Sequence, residues 1–232
     1  MPERISIIVP VFNERATIAA VVERLLAIDL PAPREIIVVN DGSSDGTRAV
    51  LDELSGRFPE VIVIHEADNR GKGHAVRLGF HRAGGSIVAI QDADLELDPA
   101  QLAALVAPIL SHDADVVYGS RFLGSRPDAP AATLAANRLL TWITNRLYGS
   151  RLTDMETCYK IMRTEVARSL PLTANRFDIE PEITARLLRG GHRIHELPVH
   201  FSPRSRAAGK KIGWRDGVAA IAVLVRLKFT TP

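Results

Sequence analysis

The 232-residue chain is predicted to fold as an α/β protein built on a mostly parallel sheet with helices on both faces. Three observations lead there: short apolar runs rich in β-branched residues recur, amphipathic stretches alternate with them, and acidic or polar residues gather where the runs end. The runs are residues 5–9, 35–39, 61–65, 86–91 and 115–118, each short enough for a strand buried on both faces. The stretches between them, 17–27, 46–57, 72–83 and 99–110, space apolar residues three and four apart, and several open on a capping residue or a proline. The order βαβαβαβαβ calls for crossover connections, which are right-handed in nearly all sheets. Farther on, residues 123–137 carry Gly124, Pro127, Pro130 and a cluster of alanines, predicting a mobile loop and candidate lid ahead of a helix over 137–148. Strands are expected over 158–162 and 193–199, with an amphipathic segment at 179–189 between them.

A hydrophobic content of 46% supports one sizeable domain, and the expected division is a catalytic body over 1–200 followed by a basic, amphipathic segment over 201–232. Cys158 is the single cysteine, which rules out an internal disulfide and suits a reducing compartment; it reads as a buried apolar residue rather than a nucleophile. The start, MPERISIIVPVF, lacks the pattern of an export signal, and no apolar run approaches the roughly 20 residues that span a bilayer, so a cytoplasmic protein is expected. The net charge of +2 is unevenly placed: residues 186–228 hold ten Lys or Arg against Glu196 and Asp216, leaving an acidic remainder. An acidic body suits a metal, and a basic tail suits phosphate on an acceptor or an anionic membrane surface. The apolar run 218–225, flanked by Trp214, Lys210, Lys211, Arg226 and Lys228, is expected either to lie in a membrane interface or to pack on the body. Aromatic residues in the tail are too sparse for a nucleic-acid stacking platform, so no nucleic-acid partner is expected. His192, His195 and His200 lack metal-ligand spacing and read as structural or surface residues.

Ligands of such sheets bind beyond the carboxyl ends of the strands. The first strand leads into Pro10, Asn13 and Glu14, the second into Asn40, Asp41 and Gly42, and the fourth into Asp92, Ala93 and Asp94, which implies one shared site. In QDADLE, residues 91–96, Asp92, Asp94 and Glu96 share the period of two that points alternate side chains the same way. Carboxylates so arranged call for a hard cation, Mg²⁺ or Mn²⁺, completed by phosphate oxygens of a ligand.

The segments VPVFNE (9–14) and VVNDGSSDGT (38–47) resemble two signatures of the family 2 glycosyltransferases, whose nucleotide-binding α/β fold is called GT-A. The resemblance implies that Pro10, Asn13, Glu14 and Asp41 embrace the base and ribose of a nucleotide-sugar donor, while Asp92, Asp94 and Glu96 hold the metal at its diphosphate, with Asp94 essential to catalysis. The alternative for residues 41–43 is an ordinary turn and cap. DNRGKGHAV (68–76) resembles the family's Asn-x-Gly-x-x-x-Ala turn, where Lys72 or Arg70 approaches a phosphate unless the turn is purely structural. YGSRFLG (118–124), DMETCYKIMR (154–163) and the stretch from 177 to 204 resemble the branch that glycosylates polyprenyl phosphates, the dolichol-phosphate mannose synthase type, and this likeness covers nearly the whole chain.

That branch implies arginines on the acceptor phosphate at Arg121, Arg138 and Arg204, with Arg206 a substitute, since guanidinium forks match phosphate oxygens. It also implies an acid in the acceptor region, Asp154, acting as general base toward a hydroxyl acceptor or orienting an arginine if the acceptor is already an ionised phosphate. The activity implied is inverting transfer of a hexose from GDP-mannose or a UDP-sugar to a polyprenyl phosphate, at the inner face of a membrane and with room for a membrane-protein partner. Two alternatives stand beside it: a family 2 enzyme using a soluble hydroxyl acceptor, and a non-catalytic nucleotide-binding subunit.

Overall fold

The computed structural model describes residues 3–124, 127, 129–203 and 213–230. Its centre is a seven-stranded sheet in the order β3-β2-β1-β4-β6-β5-β7. The strands are β1 (Ile5–Val11), β2 (Arg34–Asp41), β3 (Val61–Glu66), β4 (Ile87–Ile90), β5 (Val116–Ser120), β6 (Lys160–Arg163) and β7 (Ile194–Pro198). Neighbours are parallel except that β6 runs against both β4 and β5. The helices are α1 (Ile18–Ala27), α2 (Thr47–Arg57), α3 (Lys72–Arg82), α4 (Leu102–Leu110), α5 (Ala131–Tyr148), α6 (Thr164–Ser169), α7 (Ile179–Arg189) and α8 (Trp214–Phe229).

Successive residues of a strand face opposite ways, so the unbroken apolar runs feed two cores. Ile7, Val9, Ile36 and Val38 pack beneath α1, α2 and α4, while Ile8, Ile37, Val39 and Ile90 pack against α3, α6 and α7. Each fully buried Ile or Val contributes about 1.5–3 kcal/mol relative to exposure. The chain winds outward from β1 to β3 with α1 and α2 on one face, then crosses on the other face through α3 to place β4 on the far side of β1. That reversal opens a crevice at the carboxyl ends of β1 and β4, the usual ligand position in an open parallel sheet.

Some boundaries differ from those expected. α5 starts at Ala131, six residues ahead of the predicted 137, because the alanines that read as loop are the best helix formers and Pro130 sits just before them, where its missing N–H is harmless. Residues 125, 126 and 128 of the candidate lid lie outside the described residues. β6 begins at Lys160 rather than 158, and the short α6 after it was not anticipated. α8 buries Ala220, Val223, Leu224 and Leu227 against Leu140 of α5, Ala185 of α7 and Met155. The Tyr148 hydroxyl donates to the Leu224 carbonyl (2.7 Å) and Arg189 donates to the Thr230 carbonyl (2.7 Å), so one face of the tail helix packs on the body.

Candidate active site

The β4 tip does not continue as an extended strand. Leu95 adopts φ 61°, in the left-handed region, so the alternation expected to align Asp92, Asp94 and Glu96 is broken. The turn is held instead by Gln91, whose amide donates to the carbonyls of Asp92 (3.1 Å) and Leu97 (3.3 Å) and whose Oε1 accepts from the Tyr159 hydroxyl at 2.7 Å. Asp94 accepts from the Glu96 amide (3.1 Å), and Glu96 and Leu97 pair with Ser202 and Phe201, next to the start of the basic segment. Among the described residues no group of three His, Cys, Asp or Glu side chains is gathered closely enough to hold a metal ion by itself. Asp92 and Asp94 both add negative charge near the Cys158 thiol and help raise its pKa.

A ladder of alternating charge runs inward from Asp92. Lys72, at the start of α3, lies 2.7 Å from Asp92 Oδ1 and 2.9 Å from Glu180 Oε1, and Glu180 also pairs with the fully buried Lys160. Burial opposes the charged form of each member, but the opposite charges outweigh it: Lys72 is held well above the ordinary lysine range, and Asp92 and Glu180 below the carboxylate range. Lys160 completes its coordination with the carbonyls of Met155 (3.1 Å) and Thr157 and stands 4.8 Å from the Tyr118 ring centre. Glu182, the other buried acid of α7, accepts from the amides of Thr173 (2.8 Å) and Ala174 (2.6 Å). It thereby holds the loop that abuts the start of α3, where a Cβ at Gly71 or Gly73 would run into the carbonyls of Asn175 and Ala174.

At the β1 and β2 tips the expected donor-binding side chains serve the loops themselves. Asn13, at φ 52°, accepts from the Ser44 amide (2.8 Å) while its own amide donates to the Ser43 hydroxyl (2.9 Å). Glu14 accepts from the Thr17 hydroxyl at 2.9 Å, and Pro10 remains in register with Val39. Asp41 is 2% exposed, and its two oxygens take the amides of Arg70 (2.9 Å) and Gly71 (2.7 Å). Asp41 thus fixes the turn that launches Lys72, a turn so close to Gly42 that a Cβ there would meet the backbone of Asn69 at 2.5 Å.

On the other side of the crevice, at the β5 tip, Arg121 makes a two-pronged pair with Asp154: Nε to Oδ2 at 2.7 Å and Nη2 to Oδ1 at 2.8 Å. The Arg121 amide adds a third bond to Oδ2 at 3.0 Å, and Asp154 is completely buried. Glu196 of β7 holds that acid in place by accepting from the amides of Thr153 (2.8 Å) and Asp154 (3.0 Å). Burial works against the Arg121 cation, yet Asp154 more than compensates and raises its pKa. The guanidinium lies 5.3 Å from the Phe201 ring centre and still has N–H groups beyond those Asp154 uses. Arg138 is an exposed residue of α5 standing over Phe122, and Arg204 and Arg206 lie outside the described residues.

Between these two clusters lie Glu156 and Cys158. Burial pushes the Glu156 carboxyl up to about 7, against the pull of Lys160, and its Oε1 is shielded from solvent with no hydrogen-bond partner among the described residues. Cys158 is buried, and burial together with Asp92 drives its thiol well up, which agrees with an unreactive packing role.

The family model for glycosyl transferase family 2 matches residues 6–170. The chain belongs to that family. It is 30% identical to the polyprenol monophosphomannose synthase of Mycolicibacterium smegmatis over 91% of this chain and 82% of that protein. It is 29% identical to the undecaprenyl-phosphate mannosyltransferase of Micrococcus luteus over 95% of this chain and 92% of that protein. Other relatives are longer, and the chain spans 33% of one and 61% of another. Among solved structures it superposes on glucosyl-3-phosphoglycerate synthase from Mycobacterium tuberculosis, in complex with Mn²⁺, UDP and phosphoglyceric acid, with TM-score 0.75 and 21% identity over 99% of this chain and 80% of that one. The fold is therefore GT-A, and the protein is a glycosyltransferase.

In this glycosyltransferase the sheet brings Asp92, Asp94 and Arg121 to one end of the molecule, joined through residues 154–160. Asn13 and Asp41 arrive at the same end with their oxygens engaged by backbone amides. Sequence reading gave no role to Glu180, Lys160, Glu156 or Gln91. A signal existed for one of them: an ionisable residue inside an otherwise apolar run, as at Lys160 between Cys158 and Met162, has to be paired once buried.

Proposed function

We propose that this glycosyltransferase transfers a hexose from a nucleoside-diphosphate sugar to a polyprenyl phosphate, with inversion, in a single displacement. The observation that carries this reading is the engagement of Asp154. Both its oxygens are committed to Arg121 and none of it is exposed, so it is unsuited to deprotonating a hydroxyl acceptor and well suited to aiming a guanidinium. An acceptor phosphate needs no base, being ionised already, and the remaining N–H groups of Arg121 match its oxygens. The names of the two relatives quoted above point the same way.

Asp92 and Asp94 are the groups proposed to hold Mg²⁺ or Mn²⁺. The donor set fits: both are hard oxygen ligands, Asp92 is held ionised, and two carboxylates suffice for a cation whose other positions go to diphosphate oxygens and water. When bound, such an ion neutralises the charge that builds on the departing diphosphate. Lys72 keeps Asp92 charged and oriented, and Arg121 sets the acceptor phosphate in line. Catalysis by these residues is then positioning and electrostatics. Pro10, Asn13, Glu14 and Asp41 are proposed to shape the nucleotide pocket through their loops, Arg138 and Arg204 to add charge for the acceptor, and Glu96 to support the β4 turn.

The chain is also proposed to bind membranes at their surface. No helix among the described residues is long and apolar enough to cross one. Yet α5 exposes Leu139 and Trp142 (52% and 62%), and α8 exposes Val218 and Phe229 (58% and 78%), beside a segment rich in Lys and Arg. Incubating the protein with Mg²⁺, labelled GDP-mannose or UDP-glucose and a short polyprenyl phosphate should move label into organic solvent. Label left wholly in the aqueous phase, where the unreacted donor stays, would count against a polyprenyl phosphate acceptor. Asp94→Asn should lower turnover roughly 100-fold or more and abolish metal-dependent nucleotide binding, and a fully active variant would refute the assigned corner.

A further inference from the structure

Among the described residues no hydrogen bond accounts for the Oε1 of Glu156, which is sealed from solvent, an arrangement that native structures largely avoid for a carboxyl group. Its position along the chain is informative. Asp154, two residues before it, grips Arg121; Cys158, two residues after it, adjoins Asp92 and Asp94; and Lys160 pairs with Glu180 beyond. The segment around Glu156 is tied on one side to Arg121 through Asp154 and on the other to Lys160 through the carbonyls of Met155 and Thr157. It therefore occupies the interval between the carboxylates that face the donor diphosphate and the arginine that faces the acceptor phosphate. A sugar passing from one phosphate to the other must fill that interval.

We propose that Glu156, a partly exposed residue, reads the transferred sugar, its carboxyl group engaging a hydroxyl of the hexose. The inference rests on the activity proposed above and adds a specificity residue to it. A phosphate oxygen is an implausible partner for this carboxyl because both are acceptors carrying negative charge, whereas a sugar hydroxyl both donates and accepts. With its titration set near neutrality, the carboxyl can accept from a hydroxyl when ionised and donate to one when protonated. A base role is disfavoured because the proposed acceptor brings no proton to remove.

The test compares affinities for GDP with GDP-mannose, and UDP with UDP-glucose, each with Mg²⁺, in the wild type and in Glu156→Gln and Glu156→Leu. The preference for nucleotide sugar over bare nucleotide should fall about tenfold or more in Glu156→Leu and by less in Glu156→Gln, which keeps one acceptor oxygen, while bare-nucleotide affinity stays within about twofold. A preference unchanged in both variants overturns the inference. So does equal loss of nucleotide and nucleotide sugar in both, which would mark a structural role, or an unchanged preference with collapsed kcat, which would mark a base. A wild type that binds none of the four ligands overturns the underlying activity, and this inference with it; wild-type preference retained by Glu156→Leu overturns this inference alone.

Discussion

Arg121 and Asp154 share a two-pronged geometry that only a planar guanidinium can satisfy. Arg121→Lys should accordingly raise the acceptor KM about 10-fold to 100-fold, because a point charge replaces a fork, with the donor KM little changed. Asp154→Asn should have a similar effect, and the double variant should be no worse than either single one, since the two act as a unit; additive losses in steady-state kinetics would count against the pairing. Glu156 gives a second prediction, from its titration. Its folded pKa, about 7, lies above the ordinary value of 4.5, so its contribution to stability is complete below pH 4.5 and is lost as pH rises through about 7. The melting temperature of Glu156→Gln relative to the wild type should therefore climb across that window, and parallel curves would contradict the burial of this acid. At this scale the sequence disclosed which residue types gather at the strand tips, but not their partners. That Asp41 clamps two backbone amides was not legible, because hydrogen bonds 29 and 30 residues apart leave no periodic trace.

The element that organises the site is α7, which inserts Glu180 between two lysines and uses Glu182 to pin the loop against α3. Glu180→Gln leaves a wholly buried ammonium at Lys160 without its counter-charge. It should destabilise the protein by about 3–5 kcal/mol, a fall on the order of 10 °C in calorimetry, and a shift under 2 °C would show that the lysines find other partners. Elements with a clear pattern were legible: β1, β2 and β3 and the helices between them follow from apolar runs and three-to-four spacing. α5 was cut short because its first turns are alanines, which a composition-based reading assigns to loop as readily as to helix. The reversed direction of β6 could not be foreseen, since periodicity identifies a strand but carries nothing about its neighbours or its sense.

At the scale of the molecule, the exposed apolar stripes of α5 and α8 and the basic tail make surface attraction measurable. The protein should sediment with vesicles rich in phosphatidylglycerol and much less with phosphatidylcholine, the difference shrinking at high salt as charges are screened. Replacing Trp142 with Ala should weaken it without changing nucleotide binding, and failure to sediment with either vesicle would contradict surface attachment. The sheet order has a consequence for biosynthesis. As the chain leaves the ribosome, β4 ends 70 residues and β5 ends 40 residues before the start of β6, the strand that must come to lie between them. Until then the apolar edge of β4 is open, and direct zipping of β5 onto it is a ready-made error that would shut β6 out. A nascent chain stalled before residue 160 should therefore be a strong client for chaperones that shield strand edges.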